Sequence, residues 1–237
     1  MSIAENIVAV RERINAAARS AGRNSDEITL IAISKTFPAE SIREAYASGL
    51  RIFGESRVQE FAGKAEALND LQNVEWHMIG HLQTNKAAKA VQLFRTVDSV
   101  DSLHLAEKLN SAAQAAGKNL PALVEINVGG EAAKTGIAPD SQELENILQA
   151  ASRLTHLEIR GLMTVPPFTE NPEGARPIFQ RLCQLRDQIA ARNLPSVSMK
   201  VLSMGMSHDF EVAIEEGSTC VRVGTAIFGN RNYVSGD

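Results

Sequence analysis

The chain has 237 residues, of which 44% are hydrophobic and 22% are charged, and its formal net charge is −4. These values are typical of an ordinary globular protein, and they give no electrostatic reason to expect nucleic acid or an anionic membrane as a partner. The two cysteines form no CxxC motif and a chain of this size needs no disulfide scaffold, so we expect a reducing, cytoplasmic setting.

The first predicted element is a helix over residues 2–21. Ser2 and Glu5 fit a capping box, and the apolar residues at 3, 7, 10 and 14 share one helical face. The segment lacks the long apolar run of a signal peptide. Nowhere does the chain approach the roughly 18 consecutive apolar residues of a membrane span.

A strand and a helix then alternate to the end of the chain. The first strand, residues 28–34, is an apolar run without polar alternation, which is typical of a parallel strand buried on both faces. Further strands are predicted at 51–55, 74–80, 96–100, 122–128, 157–165, 200–204 and 221–228. Helices are predicted between them at 39–48, 58–68, 87–94, 103–116, 141–153, 172–193 and 209–216.

This alternation predicts a parallel α/β fold. Eight strands in a chain of this length favour a closed (β/α)8 TIM barrel, with an open doubly wound sheet as the alternative because periodicity does not report closure. No linker or low-complexity stretch divides the chain. We therefore predict one domain over residues 1–237, with the helix 2–21 packed on the barrel.

Lys35 is predicted to end the first strand, at the carboxyl end where the active sites of barrels lie. Alternation places it on the same side as Ile31 and Ile33. If that side faces the interior, burial lowers the lysine pKa and favours the neutral amine that forms Schiff bases. From this residue alone, a lysine that extends into solvent is the better interpretation.

The loops after strands seven and eight predict an anion site. Barrels often bind phosphate there, and residues 202–207 and 221–225 each offer a hydroxyl and a glycine beside backbone N–H groups. Arg222 points the same way as Gly224, so it could reach an anion or a ring nitrogen. The alternative is a structural ion pair with Glu125 or Glu55, because buried arginines need a partner.

His77 and His81 are spaced as helical neighbours but fall on a predicted strand. There they would lie about 13 Å apart, at roughly 3.3 Å per residue, so we predict no metal site. His77 has two interpretations: a residue that stacks on a cofactor, or a core histidine with its hydrogen bonds satisfied.

Ordered motifs run along almost the whole chain. They lie at residues 33–36, 53–55, 58–60, 76–80, 82–86, 160–163, 202–207 and 217–229. Together they resemble the YggS/PROSC family of pyridoxal phosphate homeostasis proteins. The resemblance implies the barrel of alanine racemase (fold-type III) and a pyridoxal 5′-phosphate (PLP) cofactor. It also implies that Lys35 carries PLP as a Schiff base.

The same resemblance implies the other cofactor contacts. Ser203, Gly224 and Thr225 match the phosphate ligands, and Arg222 matches the partner of the pyridine nitrogen. Ser56 stands near the ring, where many members have Asn. We include His77 among the predicted cofactor-binding residues. His81 replaces a common proline, which affects fine contacts only.

An arginine at the pyridine nitrogen keeps its proton, so the ring is a weaker electron sink than one paired with aspartate. Racemases of this fold take a tyrosine from another domain, whereas Tyr46 here falls in a helix and Tyr233 near the C-terminus. We therefore expect a non-catalytic, monomeric PLP-binding protein of vitamin B6 homeostasis, with apo PLP enzymes as candidate recipients. The alternatives are a low-activity amino-acid racemase or lyase and a barrel enzyme that acts on another phosphorylated metabolite.

Overall fold

A computed structural model of the chain describes residues 1–131 and 134–230. Within these ranges, parallel strands close into a barrel in the order β1 to β8, which confirms the predicted (β/α)8 fold. The strands are β1 (Thr29–Ile33), β2 (Ile52–Glu55), β3 (Glu75–Met78), β4 (Thr96–Val100), β5 (Leu120–Glu125), β6 (Leu157–Met163), β7 (Val197–Met206) and β8 (Cys220–Val223).

Helices surround the strands on the outside. They are α1 (Ile3–Ser20), α2 (Ala39–Ala47), α3 (Val58–Ala65), α4 (Ala87–Leu93), α5 (Leu103–Ala115), α6 (Gln142–Ala150), α7 (Arg176–Ala191), α8 (Phe210–Glu215) and α9 (Thr225–Phe228). In the part of the chain that the structure describes, none of them is both long and apolar enough to cross a bilayer.

The first helix is capped as its sequence predicts. The Glu5 N–H donates to the Ser2 hydroxyl over 3.2 Å, and the Ser2 N–H donates to the Glu5 carboxylate over 2.8 Å. Both donors are otherwise unsatisfied at a helix start, so the box stabilises the first turn. The buried face of α1 packs on α8, α9 and α2, beside the seam where β8 pairs with β1.

Two apolar layers hold the barrel. The larger layer lies between strands and helices. A smaller cluster fills the inside of the barrel and consists of Ile31, Ile33 and Cys220, with Ile52, Ile79 and Val201 packed against it. A Cβ on Gly54 would lie only 2.7 Å from the Ile33 side chain, so the missing side chain of this glycine leaves room for large neighbours.

Two predicted boundaries differ in ways that affect the site. β1 ends at Ile33, so Lys35 belongs to a turn rather than to the strand. The predicted strand 221–228 ends at Val223 and continues as the short helix α9. A short apolar run such as 226–228 fits either state by periodicity, so the sequence did not distinguish them.

Candidate functional site

Lys35 lies at the carboxyl end of the barrel, half-buried in the turn of residues 34–37. The Phe37 N–H donates to the Ser34 carbonyl over 3.1 Å and closes the turn. Thr36 adopts a φ of 70°, which is unusual for a β-branched residue. The backbone that presents Lys35 is therefore held in a conformation that its own sequence does not favour.

Three side chains hold this turn, and we call Glu55, Glu60 and Lys64 the turn clamp. The Thr36 N–H donates to the Glu60 carboxylate over 2.6 Å. The Lys64 ammonium lies 3.3 Å from the Ser34 carbonyl and bridges Glu55 and Glu60 at 2.9 and 3.1 Å. These contacts offset the cost of the unusual turn.

The charges within the turn clamp oppose one another. Glu55 is fully buried, and burial raises the pKa of its carboxyl although Lys64 and the Ser34 hydroxyl act against that rise. Burial would also raise the pKa of Glu60, but the Thr36 N–H and Lys64 hold it below its usual value. Lys64 is thus the cation that keeps two carboxylates together beneath Lys35.

Arg222 extends from β8 toward the carboxyl ends of β7 and β6. Its guanidinium donates to the Ser203 hydroxyl over 2.6 Å and to the Thr164 carbonyl over 2.7 Å. It is 3% exposed, and no described carboxylate lies within ion-pair distance, so the expected alternative of a pair with Glu125 or Glu55 does not occur among these residues. Burial lowers the pKa of Arg222. A buried cation with only neutral partners suits an added acceptor or anion.

The loops after β7 and β8 are joined by one hydroxyl. The Gly224 and Ala226 N–H groups donate to the Ser207 hydroxyl over 3.1 and 3.3 Å. Gly205, near the end of β7, has a φ of +94°, and a Cβ there would lie 2.6 Å from the Ala213 side chain, so only glycine fits this position. Thr225 is exposed at the start of α9, whereas Ser203 is fully buried beneath.

The last strand brings these loops beside the Lys35 turn. A Cβ on Gly224 would lie 3.4 Å from the Ile33 side chain and 3.5 Å from its carbonyl oxygen. Ser56 follows β2, the other neighbour of β1. Lys35, Arg222, Gly224, Thr225 and Ser56 therefore occupy one sector of the mouth, with Ser203 below it.

The family model for the N-terminal domain of alanine racemase matches residues 6–232. The pyridoxal phosphate homeostasis protein of Aquifex aeolicus is 45% identical over 98% of this chain and 100% of its own length. That of Pseudomonas aeruginosa is 44% identical over 98% and 97%. The chain belongs to the pyridoxal phosphate homeostasis protein family.

Solved structures agree with this assignment. PipY, the COG0325 family member of Synechococcus elongatus, matches with a TM-score of 0.85 and 37% identity over 96% of this chain and all of that one. A second PipY structure, with PLP bound, matches with a TM-score of 0.83 and 36% identity. Alanine racemase from Clostridium difficile matches at 0.72 and 15% identity over 58% of its length, which shows a shared fold alone.

His77 lies apart from the other predicted contacts of this family member. It lines a cavity among the amino-terminal ends of the strands, together with Thr29 and Glu75. Its Nδ1 is 2.9 Å from the Asp98 carboxylate, and its Nε2 is 3.3 Å from the Thr96 hydroxyl. The strand pattern places His77 inside the barrel but does not show which end its ring reaches, so we leave it out of the proposed cofactor contacts.

Glu125 is predicted above only as a partner for Arg222, but it ends β5, on the far side of the mouth from β1. It is 5% exposed. One carboxylate oxygen accepts a hydrogen bond of 2.7 Å from the Thr135 hydroxyl, and the other has no hydrogen-bond partner among the described residues. Burial raises the pKa of Glu125. The predicted strand 122–128 places Glu125 in its middle, whereas β5 ends at Glu125. An acid inside an otherwise apolar predicted strand was the signal that could have identified it.

We expect Glu125→Gln to stabilise the protein by about 1 kcal/mol at pH 7, the scale of one poorly compensated buried polar group. The pKa of Glu125 is higher in the folded than in the unfolded protein. The destabilising effect of Glu125 is therefore absent below the pKa of the unfolded state and grows as the pH rises toward the pKa of the folded state. Urea unfolding of both proteins at several pH values should show the gain shrinking toward pH 4. A gain that stays constant or increases in acid would contradict this origin.

Proposed function

We propose that the chain is a non-catalytic PLP-binding protein of PLP homeostasis that holds the cofactor as a Schiff base on Lys35. The observation that carries this proposal is Arg222, a buried cation with only neutral partners, placed beside the Lys35 turn and two glycine-containing loops. The PipY structure with PLP bound and the names of the curated relatives support the same cofactor.

The residues at the mouth fit each part of PLP. Arg222 would contact the pyridine nitrogen. Ser203, predicted above as a phosphate ligand, is fully buried and accepts a hydrogen bond from Arg222, so we propose that it orients the guanidinium. Gly224 and Thr225, with the nearby Ser207 hydroxyl, would hold the phosphate through backbone N–H groups and hydroxyls. Ser56 would lie near the ring. When bound, PLP supplies an aldehyde that condenses with an amine and a ring that withdraws electrons.

The same residues favour storage of the cofactor over its use. A guanidinium retains its proton even when burial lowers its pKa, so Arg222 would hold the ring nitrogen without protonating it. Tyr46 lies in α2, where its hydroxyl donates to the Gln72 carbonyl over 3.2 Å, and Tyr233 lies outside the described residues. We further propose a monomer in the cytoplasm, with residues 1–237 as one domain and apo PLP enzymes as recipients.

Absorbance spectra of the purified protein with PLP test the cofactor. We expect a visible band, and borohydride should fix the label on one peptide containing Lys35. A colourless protein that retains no PLP after desalting would contradict the cofactor, and a label on another lysine would contradict the covalent site.

Low-activity amino-acid racemisation is the second candidate, and Glu125 is the observation that favours it. β5 and β1 stand on opposite sides of the eight-stranded ring, so a carboxyl with a raised pKa faces the mouth across from Lys35. Chiral chromatography of alanine after long incubation separates the candidates. Conversion above that of Lys35→Ala, and lost in Glu125→Gln, would establish racemisation; conversion at background supports storage.

The turn clamp predicts a further effect on cofactor affinity. Glu60→Ala removes the acceptor of the Thr36 N–H, so the turn should relax and PLP should bind about tenfold more weakly. Stability should fall by about 1 kcal/mol, as for one lost hydrogen bond. Fluorescence titration and urea unfolding measure the two effects.

Two variants control this experiment. Glu60→Gln keeps an acceptor and should recover most of the affinity, and Glu40→Ala, exposed on α2, should change neither quantity. Unchanged PLP affinity in Glu60→Ala would show that the clamp does not position Lys35.

A further inference from the structure

The cavity that His77 lines has a volume of about 380 Å³ and opens at the amino-terminal end of the barrel. Thr29, Ile52, Glu75 and Thr96 line it, and they are the first residues of β1, β2, β3 and β4. Because the strands are parallel, their amino ends meet at one face, opposite the mouth that holds Lys35. We call this space the lower cavity, and it lies outside the proposed PLP site.

The interior of the lower cavity contains an unsatisfied acceptor. Asp98 lines it and is 1% exposed. The Asp98 Oδ2 atom is 2.9 Å from His77 Nδ1, whereas Oδ1 is buried without a hydrogen-bond partner within the described ranges. A buried carboxylate oxygen without a donor is costly. The geometry therefore favours an occupant that brings a donor to Oδ1.

The rim of the lower cavity carries cations without partners. Arg95 and Lys200 are exposed at the rim, and neither forms an ion pair with a described carboxylate. Arg160, also at the rim, is bound to Glu158 at 2.6 Å. Two glutamates also line the cavity. Glu27 is 3.7 Å from Arg23, which leaves Glu75 to offset a single positive charge at the rim. Exposed cations are commonly solvated, but here they stand above an unsatisfied carboxylate oxygen.

We propose that the lower cavity binds a small zwitterion of amino-acid size, with its ammonium group on Asp98 Oδ1 and its carboxylate between Arg95 and Lys200. An ammonium group donates a charge-assisted hydrogen bond to the open Oδ1 atom, which is stronger than the bond from a neutral hydroxyl. A simple cation would leave Arg95 and Lys200 without a counter-charge, and a dianion would be repelled by Asp98. A volume of about 380 Å³ lies within the usual range for small-molecule sites.

Arg95 and Asp98 set the spacing of the two ligand charges. Arg95 directly precedes β4, and Asp98 is the third residue of that strand. Three residues of extended chain span about 10 Å, and the long arginine side chain spans part of that distance. An ω-amino acid therefore matches better than glycine, and 4-aminobutyrate is the probe. Butylammonium and butyrate are its matched controls, because each keeps the carbon chain and one of the two charges.

Calorimetric titration of the full chain, with and without PLP, tests this proposal. We expect saturable binding of 4-aminobutyrate that is at least tenfold tighter than that of either control. Asp98→Asn and the exposed substitution Arg95→Gln should each weaken it at least tenfold. Lys108→Gln on α5 and Lys35→Ala at the mouth should leave it unchanged.

Three outcomes would overturn the proposal. They are no saturable binding, equal affinity for butylammonium, and loss of binding in Lys35→Ala, which would place the ligand at the mouth. Since Arg95 is exposed, its variant tests the site even if Asp98→Asn fails to fold. The proposed PLP function would stand in each case, because its spectroscopic test does not involve the lower cavity.

Discussion

Lys35→Ala is expected to abolish the visible band of the PLP-loaded protein and all borohydride-fixed label. Residual non-covalent binding should be at least tenfold weaker, because the mouth would retain Arg222 and the loops after β7 and β8 but lose the covalent bond. The melting temperature of the free protein should change little, since Lys35 is only half-buried. PLP should no longer raise that temperature as strongly, because stabilisation by a ligand follows its affinity.

The control for this prediction is Lys108→Ala, a lysine exposed on α5. It should retain the band, the label and the thermal shift. Mass spectrometry of the reduced, digested proteins locates the label. Undiminished label in Lys35→Ala would show that another lysine carries the covalent bond. The mouth would then contribute only the non-covalent contacts of Arg222 and the loops.

Gly161→Ala should have the largest effect on stability, at least about 3 kcal/mol, the upper end for overpacked sites. Gly161 in β6 pairs with Val201 in β7. A Cβ at Gly161 would overlap the Val201 carbonyl oxygen and lie 2.6 Å from its carbonyl carbon. Both atoms belong to the backbone, so no side-chain rotation relieves the clash. β6, which leads to Thr164, would separate from β7, which carries Ser203.

Gly63→Ala is the matched control, because a Cβ on Gly63 in α3 would meet nothing within 4 Å. This change should stabilise the protein by up to about 1 kcal/mol, the difference in helix propensity. Urea unfolding, read by circular dichroism, gives both values. Equal effects of the two substitutions would show that β6 and β7 can separate at little cost.

The sequence predicted the barrel well because each strand is a short apolar run followed by a helix with its own periodicity. It also placed Lys35, Arg222 and Gly224 at one end, since parallel strands share a carboxyl edge. It did not predict the partners of Arg222. The sequence offered Glu55 as one alternative ion-pair partner for Arg222, but Lys64 and the Ser34 hydroxyl already donate hydrogen bonds to that carboxylate.

Other parts of the site depend on geometry that no pattern records. Periodicity gives the buried face of α3, yet it does not show that Glu60 reaches the backbone of Thr36. Alternation puts His77 inside the barrel without showing that its ring pairs with Asp98 at the lower cavity. The Ser207 hydroxyl joins two loops whose separation follows only from the pairing of β7 with β8.

The seam between β1 and β8 would determine when the proposed cofactor can bind during synthesis. It pairs Thr29 with Cys220, so the Lys35 turn and the loop after β8 come from opposite ends of the chain. Ribosomes release the N-terminal half first, and long-range closure is slow. A nascent chain therefore presents Lys35 long before it could hold PLP. PLP present during folding would favour molecules in which β8 has paired with β1 and closed the barrel.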